Sequence, residues 1–335
     1  MLRLPVLLIF ALPLLAAEPE FLVLRDPAHG IEAAISPSHG GELTSFRVRH
    51  DGRDIELIYR ARDYSPANGW SGRAPVLWPA VGRNFARGVK PDPGATECSY
   101  DWKGRRYEIP IHGFVRTMPW IVERQGIDDN GAYAVLSVRD TPETLRQYPF
   151  AFRLSVEYRL SGGELSMRYM VEAGRANREP MFFSIGNHIT LRTPFLEGTD
   201  PLAMLFESPS AVEYLKNPTT LPSGKKAPRS FLTPVPLREM PTMPAISLGG
   251  YRGEPWMRLA DPAGLALVLS HEAERWPAPP VVQFNVWGDP ANGFISPEPW
   301  VGLQNSFVLR KGLVSLKPGG SWSWTMRLRP ERRAQ

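Results

Sequence analysis

The chain has 335 residues, with 39 lysines and arginines against 34 aspartates and glutamates, for a formal net charge of +5. The basic residues are scattered, so this excess does not make the clustered footprint that binding a nucleic acid requires. A single cysteine, Cys98, excludes an intrachain disulfide, and a chain this long must be held together by a large packed core.

In chain order, the opening "MLRLPVLLIFALPLLAAEPE" has one early positive charge at Arg3, an apolar run from Leu4 to Leu15, then Ala16 and Ala17. That pattern predicts a signal peptide over residues 1–17, too short for a membrane-spanning helix. The expectation is an exported protein, periplasmic or extracellular, with a mature chain from residue 18 that is free of the membrane. The stretch "GIEAAISPSHGGELTSFRVRHDGRDIELIYR" reads as short strands between Gly, Pro and Asp turns. Cys98, in "GATECSYDW", is expected to be a small buried residue. "RLSVEYRL" and "ELSMRYMVEA" alternate apolar and polar residues around "SGG", the pattern of a hairpin.

Residues 194–250 are rich in proline and poor in periodicity, yet they keep apolar pieces such as "LAMLF"; long loops and short edge strands over one continuous sandwich are expected there. The chain end repeats the hairpin device with "GLVSLK", "PGG" and "SWSWTMRLRP". With 35 prolines and 29 glycines and no long capped amphipathic stretch, the fold class is all-β. The absence of a fixed-length repeat favours a large antiparallel β-sandwich with few short helices over a propeller or solenoid. Residues 18–335 are taken as a single domain.

Several chemistries lack their motifs. There is no zinc-protease helix signature, cysteine pair, G-x-S-x-G turn or Gly-rich phosphate loop, so neither a metal nor a nucleotide is expected. Three contexts stand out instead. "YEIPIHGFVR" sets His112 at a Gly turn after a strand-like segment, and "MFFSIGNHITL" sets His188 after Gly186 and Asn187. "GFISPEPWVGL" holds Glu298 between two prolines beside Trp300. Two histidines and one conformationally restricted carboxylate make an acid–base set for neutral pH, and a nearby tryptophan offers a face on which a sugar ring can stack. His29, His39, His50 and His271 lie in ordinary contexts and are assigned to structure or solvent.

Five blocks, in order, resemble the aldose 1-epimerase (galactose mutarotase-like) family: "SPSHGGELTSF", "APVLWPAVGRNFARG", "IPIHGFVRTMPW", "FFSIGNHITL" and "ISPEPWVGLQNSF". The resemblance implies a large antiparallel β-sandwich that binds a small-molecule sugar and interconverts its anomers with no cofactor. It implies Glu298 as general base, His188 as general acid and His112 as the group that stabilises the developing charge. Arg83 or Arg87 would bind sugar hydroxyls, with Asn187 and Trp300 as further substrate-binding positions. Two departures are plain. "GGYRGEPWMRL" lacks the family's sugar-binding aspartate, with Glu254 as a shifted substitute, and Asn305 stands where an aspartate is frequent. These leave room for a non-catalytic carbohydrate-binding protein on the same scaffold. A hydrolase would call for two placed carboxylates, and only Glu298 is nominated. The sugar, its anomer and the oligomeric state are left open.

Overall fold

The structure is a computed structural model that describes residues 21–61, 64 and 72–332. The expected signal peptide over residues 1–17 lies outside the described residues. Among those described, strands dominate and the two α-helices, Pro142–Gln147 and Ser306–Leu309, are short. No helix among them is long and apolar enough to cross a membrane.

The largest sheet has nine antiparallel strands. Its spatial order runs Phe231–Pro236, Leu205–Ser208, Trp256–Ala260, Leu265–Ala273, Ser321–Arg332, Glu164–Ala173, Phe152–Ser161, Gly131–Arg139 and Ile121–Asp128. The hairpin read from "SGG" is present, with Leu160 opposite Leu165 and Phe152 opposite Ala173. Alternation explains its burial: Leu154, Val156, Tyr158 and Leu160 turn inward, as do Leu165, Met167, Tyr169 and Val171 on the neighbouring strand. A four-stranded meander over residues 22–56 carries the early strands predicted from the Gly, Pro and Asp turns.

A second sheet runs Pro222–Pro228, Val212–Lys216, Ile246–Gly249, Val282–Asp289, Phe294–Gly302, Ile185–Asn187 and Val76–Leu77, with Leu191–Arg192 also paired to Phe294–Gly302. One contiguous apolar cluster joins the two large sheets, with Leu267, Leu269 and Met326 from the first and Phe284, Val286 and Ile295 from the second. Residues 194–250 contribute the short strands 205–208, 212–216, 222–228, 231–236 and 246–249, two of which are sheet edges. Cys98 is buried in strand Glu97–Trp102, and burial raises its thiol pKa.

The second sheet positions the candidate residues. Its far face, away from the main core, has a smaller apolar cluster of Leu77, Val81, Val282, Trp300 and Leu303. Strand period two puts Ser296, Glu298 and Trp300 on one face, while Ile295 and Val301 lie on the core side. The register sets Asn285 opposite Glu298, Trp287 opposite Ser296, and Gly186 opposite Trp300.

Candidate active site

Glu298 sits in the middle of a central strand. Pro297 and Pro299 cannot donate to a ladder. On the side of strand 294–302 away from strand 282–289, Ile185 and Gly186 pair with Val301 and Trp300, and Leu191 and Arg192 pair with Ile295 and Phe294. Residues 296–299 face the interval between those pairings, and both prolines fall within it. His188 lies in the chain that spans this interval, so sheet geometry rather than loop folding brings it to Glu298.

His188 Nε2 stands 3.6 Å from Glu298 Oε1, with only 8% and 2% of the two side chains exposed. Asn285 Nδ2 donates to Oε1 at 2.9 Å, and Trp300 Nε1 donates to Oε2 at 3.1 Å. Burial raises the Glu298 carboxyl to about 8, against the lowering effects of those two donors and of the Lys216 cation. Burial lowers His188 to about 3, and the Arg116 guanidinium adds to that lowering.

His112 closes the set. Its ring centroid is 5.3 Å from that of His188, and ligating atoms of His112, His188 and Glu298 all lie within 4.8 Å of one another. His112 and Gly113 both have left-handed backbone conformations, at φ of 65° and 74°. A Cβ on Gly113 would come within 2.1 Å of Trp78 O, so only glycine fits beside the histidine. Gly82 N–H donates to His112 Nδ1 at 3.1 Å. Burial, with the neighbouring His188, Arg116 and Arg83, holds the imidazole neutral, so its one proton belongs on Nε2. That nitrogen is a hydrogen-bond donor with no lone pair for a metal ion. The trio is suited to handling protons and hydroxyl groups.

Residues 21–241 match the family described as aldose 1-epimerase. The chain belongs to the aldose 1-epimerase family. A protein of Salmonella typhimurium provisionally named a glucose-6-phosphate 1-epimerase is 25% identical over 119 residues, 35% of this chain and 40% of that protein. Protein LacX (plasmid) of Lactococcus lactis is 28% identical over 168 residues, 48% of this chain and 47% of its own length. The chain thus spans less than half the length of these curated relatives. A solved galactose mutarotase related enzyme of Lactobacillus acidophilus shares the fold, with a TM-score of 0.75 at 20% identity over 94% of this chain and all (100%) of that one. These comparisons establish family membership and the shared fold.

The remaining nominated positions separate. Arg83 is half-buried, its Nε donates to Ala95 O at 2.8 Å, and its charge acts on both His112 and Lys216. Arg87 is exposed and gives its carbonyl to Arg106, so of the two arginines in "GRNFAR" it is Arg83 whose charge reaches His112. Asn187 alternates with His188 and points the other way, where its amide donates to Ala74 O and Tyr169 Oη within the core. It is therefore a support of the strand and does not reach the site.

Trp300 is 1% exposed and packs its indole among Leu77, Val81 and Leu303, so it fixes the carboxylate and offers no stacking face. Half-buried Trp287, edge-on to His188 with centroids 5.7 Å apart, supplies the aromatic wall instead. Glu254 is also excluded as the substitute acid: it accepts from Ser270 and Arg327 on the outer nine-stranded sheet. Asn305 is an anchor, accepting from Phe85 N–H and donating its own N–H to Arg83 O.

Lys216, Asn285, Trp287 and Arg116 were not nominated from the sequence. Asn285 and Trp287 alternate with core residues in "VVQFNVWGD", which reads as an ordinary strand. Lys216 carries no local signal, because a bulge between Tyr214 and Lys216 sets its direction. The four other histidines have structural surroundings: His29 pairs with Asp26, His39 stacks on Tyr64, His50 lies by Asp51, and buried His271 accepts from Trp324 Nε1.

Proposed function

We propose that this protein interconverts the α and β anomers of a free aldose, with Glu298 and His188 exchanging protons at the two hemiacetal oxygens. The observation that carries this reading is the 3.6 Å approach of His188 Nε2 to Glu298 Oε1, with His112 beside both. Each proton transfer needs a group within hydrogen-bond reach of one of two oxygens bonded to the same carbon. A carboxylate and an imidazole this close can serve both oxygens at once.

The pair works with one proton between its members. With that proton on His188, Glu298 takes hydrogen from the anomeric hydroxyl while His188 protonates the ring oxygen. The bond between C1 and the ring oxygen breaks, and the open aldehyde forms. Rotation about the C1–C2 bond turns the other carbonyl face to the chain hydroxyl. Closure returns one proton to His188 and passes the other from Glu298 to the new anomeric oxygen, so nothing is consumed. His112 Nε2–H donates to the sugar oxygen that gains negative charge. Arg83 and Trp287 hold the ring.

Transfer of magnetisation between the two anomeric proton signals, measured by exchange NMR, tests this on neutral aldoses, uronic acids and 6-phosphorylated sugars. Wild type is expected to accelerate exchange for at least one, and Glu298→Gln to reduce the rate by roughly 10²–10⁴-fold. Saturable binding with no exchange on any sugar would instead mark a carbohydrate-binding protein. We also propose export, from the leader pattern of residues 1–17. A mature N-terminus at Glu18 in the exported fraction is the expected result of cell fractionation with mass spectrometry.

A further inference from the structure

Lys216 is a half-buried lysine that this acid–base scheme does not use. Its Nζ donates to Ala245 O at 2.7 Å and to Asn285 Oδ1 at 3.1 Å. Ser247 Oγ donates to the same Asn285 oxygen at 3.1 Å. With two donors on Oδ1, the Asn285 amide has only one satisfactory orientation, and its Nδ2 must point at Glu298 Oε1, 2.9 Å away. The flipped amide would set N–H against ammonium and carbonyl against carboxylate.

A half-buried ammonium held by two neutral oxygens is also favoured by a nearby counter-charge. Two carboxylates act on Lys216, those of Glu298 and Glu213. Glu213 is already held by Arg229, at 2.9 Å from its Nε. Among the described residues no Lys or Arg forms a salt bridge with Glu298, whose ion-pair neighbour is His188. The charged and titratable groups around the site are then few. Glu298 faces Lys216, His188 and His112; His188 faces His112 and Arg116; Lys216 faces Glu298, Glu213 and the like-charged Arg83.

We infer that Lys216 is a positioning residue which, through Asn285, biases the negative charge of the acid–base pair toward Glu298 and so the shared proton toward His188. The inference rests on the acid–base reading above and deepens it. In an empty site burial favours the neutral arrangement, with the proton on Glu298, because neither partner is then a buried ion. A fixed cation on the Glu298 side offsets that preference, and the arrangement it favours is the one ready to react. Burial lowers the Lys216 amine itself to about 8. Its loss of charge at higher pH removes the same support.

The test compares wild type with Lys216→Gln, which can still donate to Asn285 but has no charge, and with Lys216→Arg, which keeps the charge. Two readouts are followed against pH: the anomer-exchange rate, and the carboxyl carbon signal of ¹³C-labelled glutamate, assigned by its loss in Glu298→Gln. In Lys216→Gln the Glu298 midpoint and the alkaline limb of the rate should both rise by about one pH unit or more, with the plateau rate down about tenfold. Lys216→Arg should restore the wild-type behaviour of both. A Lys216→Gln protein with an unmoved carboxyl midpoint would overturn the inference even where its activity or stability falls, since that loss would be structural. If wild type exchanges no sugar but the midpoint moves, the inference stands and the epimerase reading fails. Should Lys216→Gln not fold, Lys216→Met and Ser247→Ala, read by the same carboxyl signal, separate charge from amide orientation.

Discussion

At the scale of single residues, the site is a problem in keeping buried groups correctly protonated. His188, lowered to about 3, and Glu298, raised to about 8, bracket a wide range in which the pair holds one proton. Above that range the proton is lost, leaving a base but no acid to protonate the ring oxygen. The exchange rate should be level through neutral pH and fall as pH rises past about 8, where Glu298 loses its proton and Lys216 its charge. A rate that instead climbed through pH 8 would show that the unprotonated pair is the working form. Arg83 and Arg87 make a sharper residue-level test. Arg83→Met should raise KM about tenfold with a smaller effect on kcat, whereas Arg87→Ala, exposed and away from His112, should leave both within about twofold. Steady-state rates on the preferred sugar decide between them.

At the scale of elements, the close approach of neighbouring strands fixes the base. Gly186 lies opposite Trp300, and a Cβ there would stand 2.6 Å from Trp300 Cδ1. Gly186→Ala must therefore displace the indole, and with it the N–H that holds Glu298 Oε2. The expected result is a folded protein with kcat down roughly tenfold to a hundredfold, seen as lost exchange together with an altered Trp300 indole NMR signal. The same strands show how far the sequence could be read. Strands with period-two alternation and a turn at each end, such as 152–161 and 164–173, are legible because burial on one face writes itself into residue order. His112 and His188 are legible because a turn residue beside glycine leaves a local mark. Glu298 is legible from its two flanking prolines, which the structure tolerates in a central strand where pairing on one side is interrupted. Lys216 and Asn285 left no mark because their role depends on a bulge and on a side-chain contact, 69 residues apart in the chain, between two strands that both pair with 246–249. Trp300 and Asn187 were misread for a related reason. Alternation says that neighbours face opposite sides, and the sequence does not say which side holds the ligand.

At the scale of the whole molecule, the same buried groups set how stability varies with pH. His112, His188 and His271 are all held neutral by burial, with folded pKa values below the ordinary histidine value. As pH falls below about 6.5 the unfolded chain binds protons at these positions that the folded chain refuses, so stability drops with acidification. Glu42 and Glu298 act in the opposite sense, since burial raises each carboxyl to about 8. Between their unfolded value of about 4.5 and that folded value, the native state holds protons the unfolded chain has released, and stability falls as pH rises. Three histidines outweigh two glutamates below about pH 6, and the glutamates prevail above about pH 7, where the histidines have lost their protons in both states. Calorimetric Tm should therefore peak on the slightly acid side of neutrality. Glu42→Gln and Glu298→Gln should each flatten the decline on the alkaline side, Glu42→Gln without touching the acid–base pair. A Tm that rose steadily from pH 6 to 8 would mean that these carboxylates are ionised in the folded protein, with Arg73 and Arg116 as counter-ions to Glu42 and Lys216 as counter-ion to Glu298.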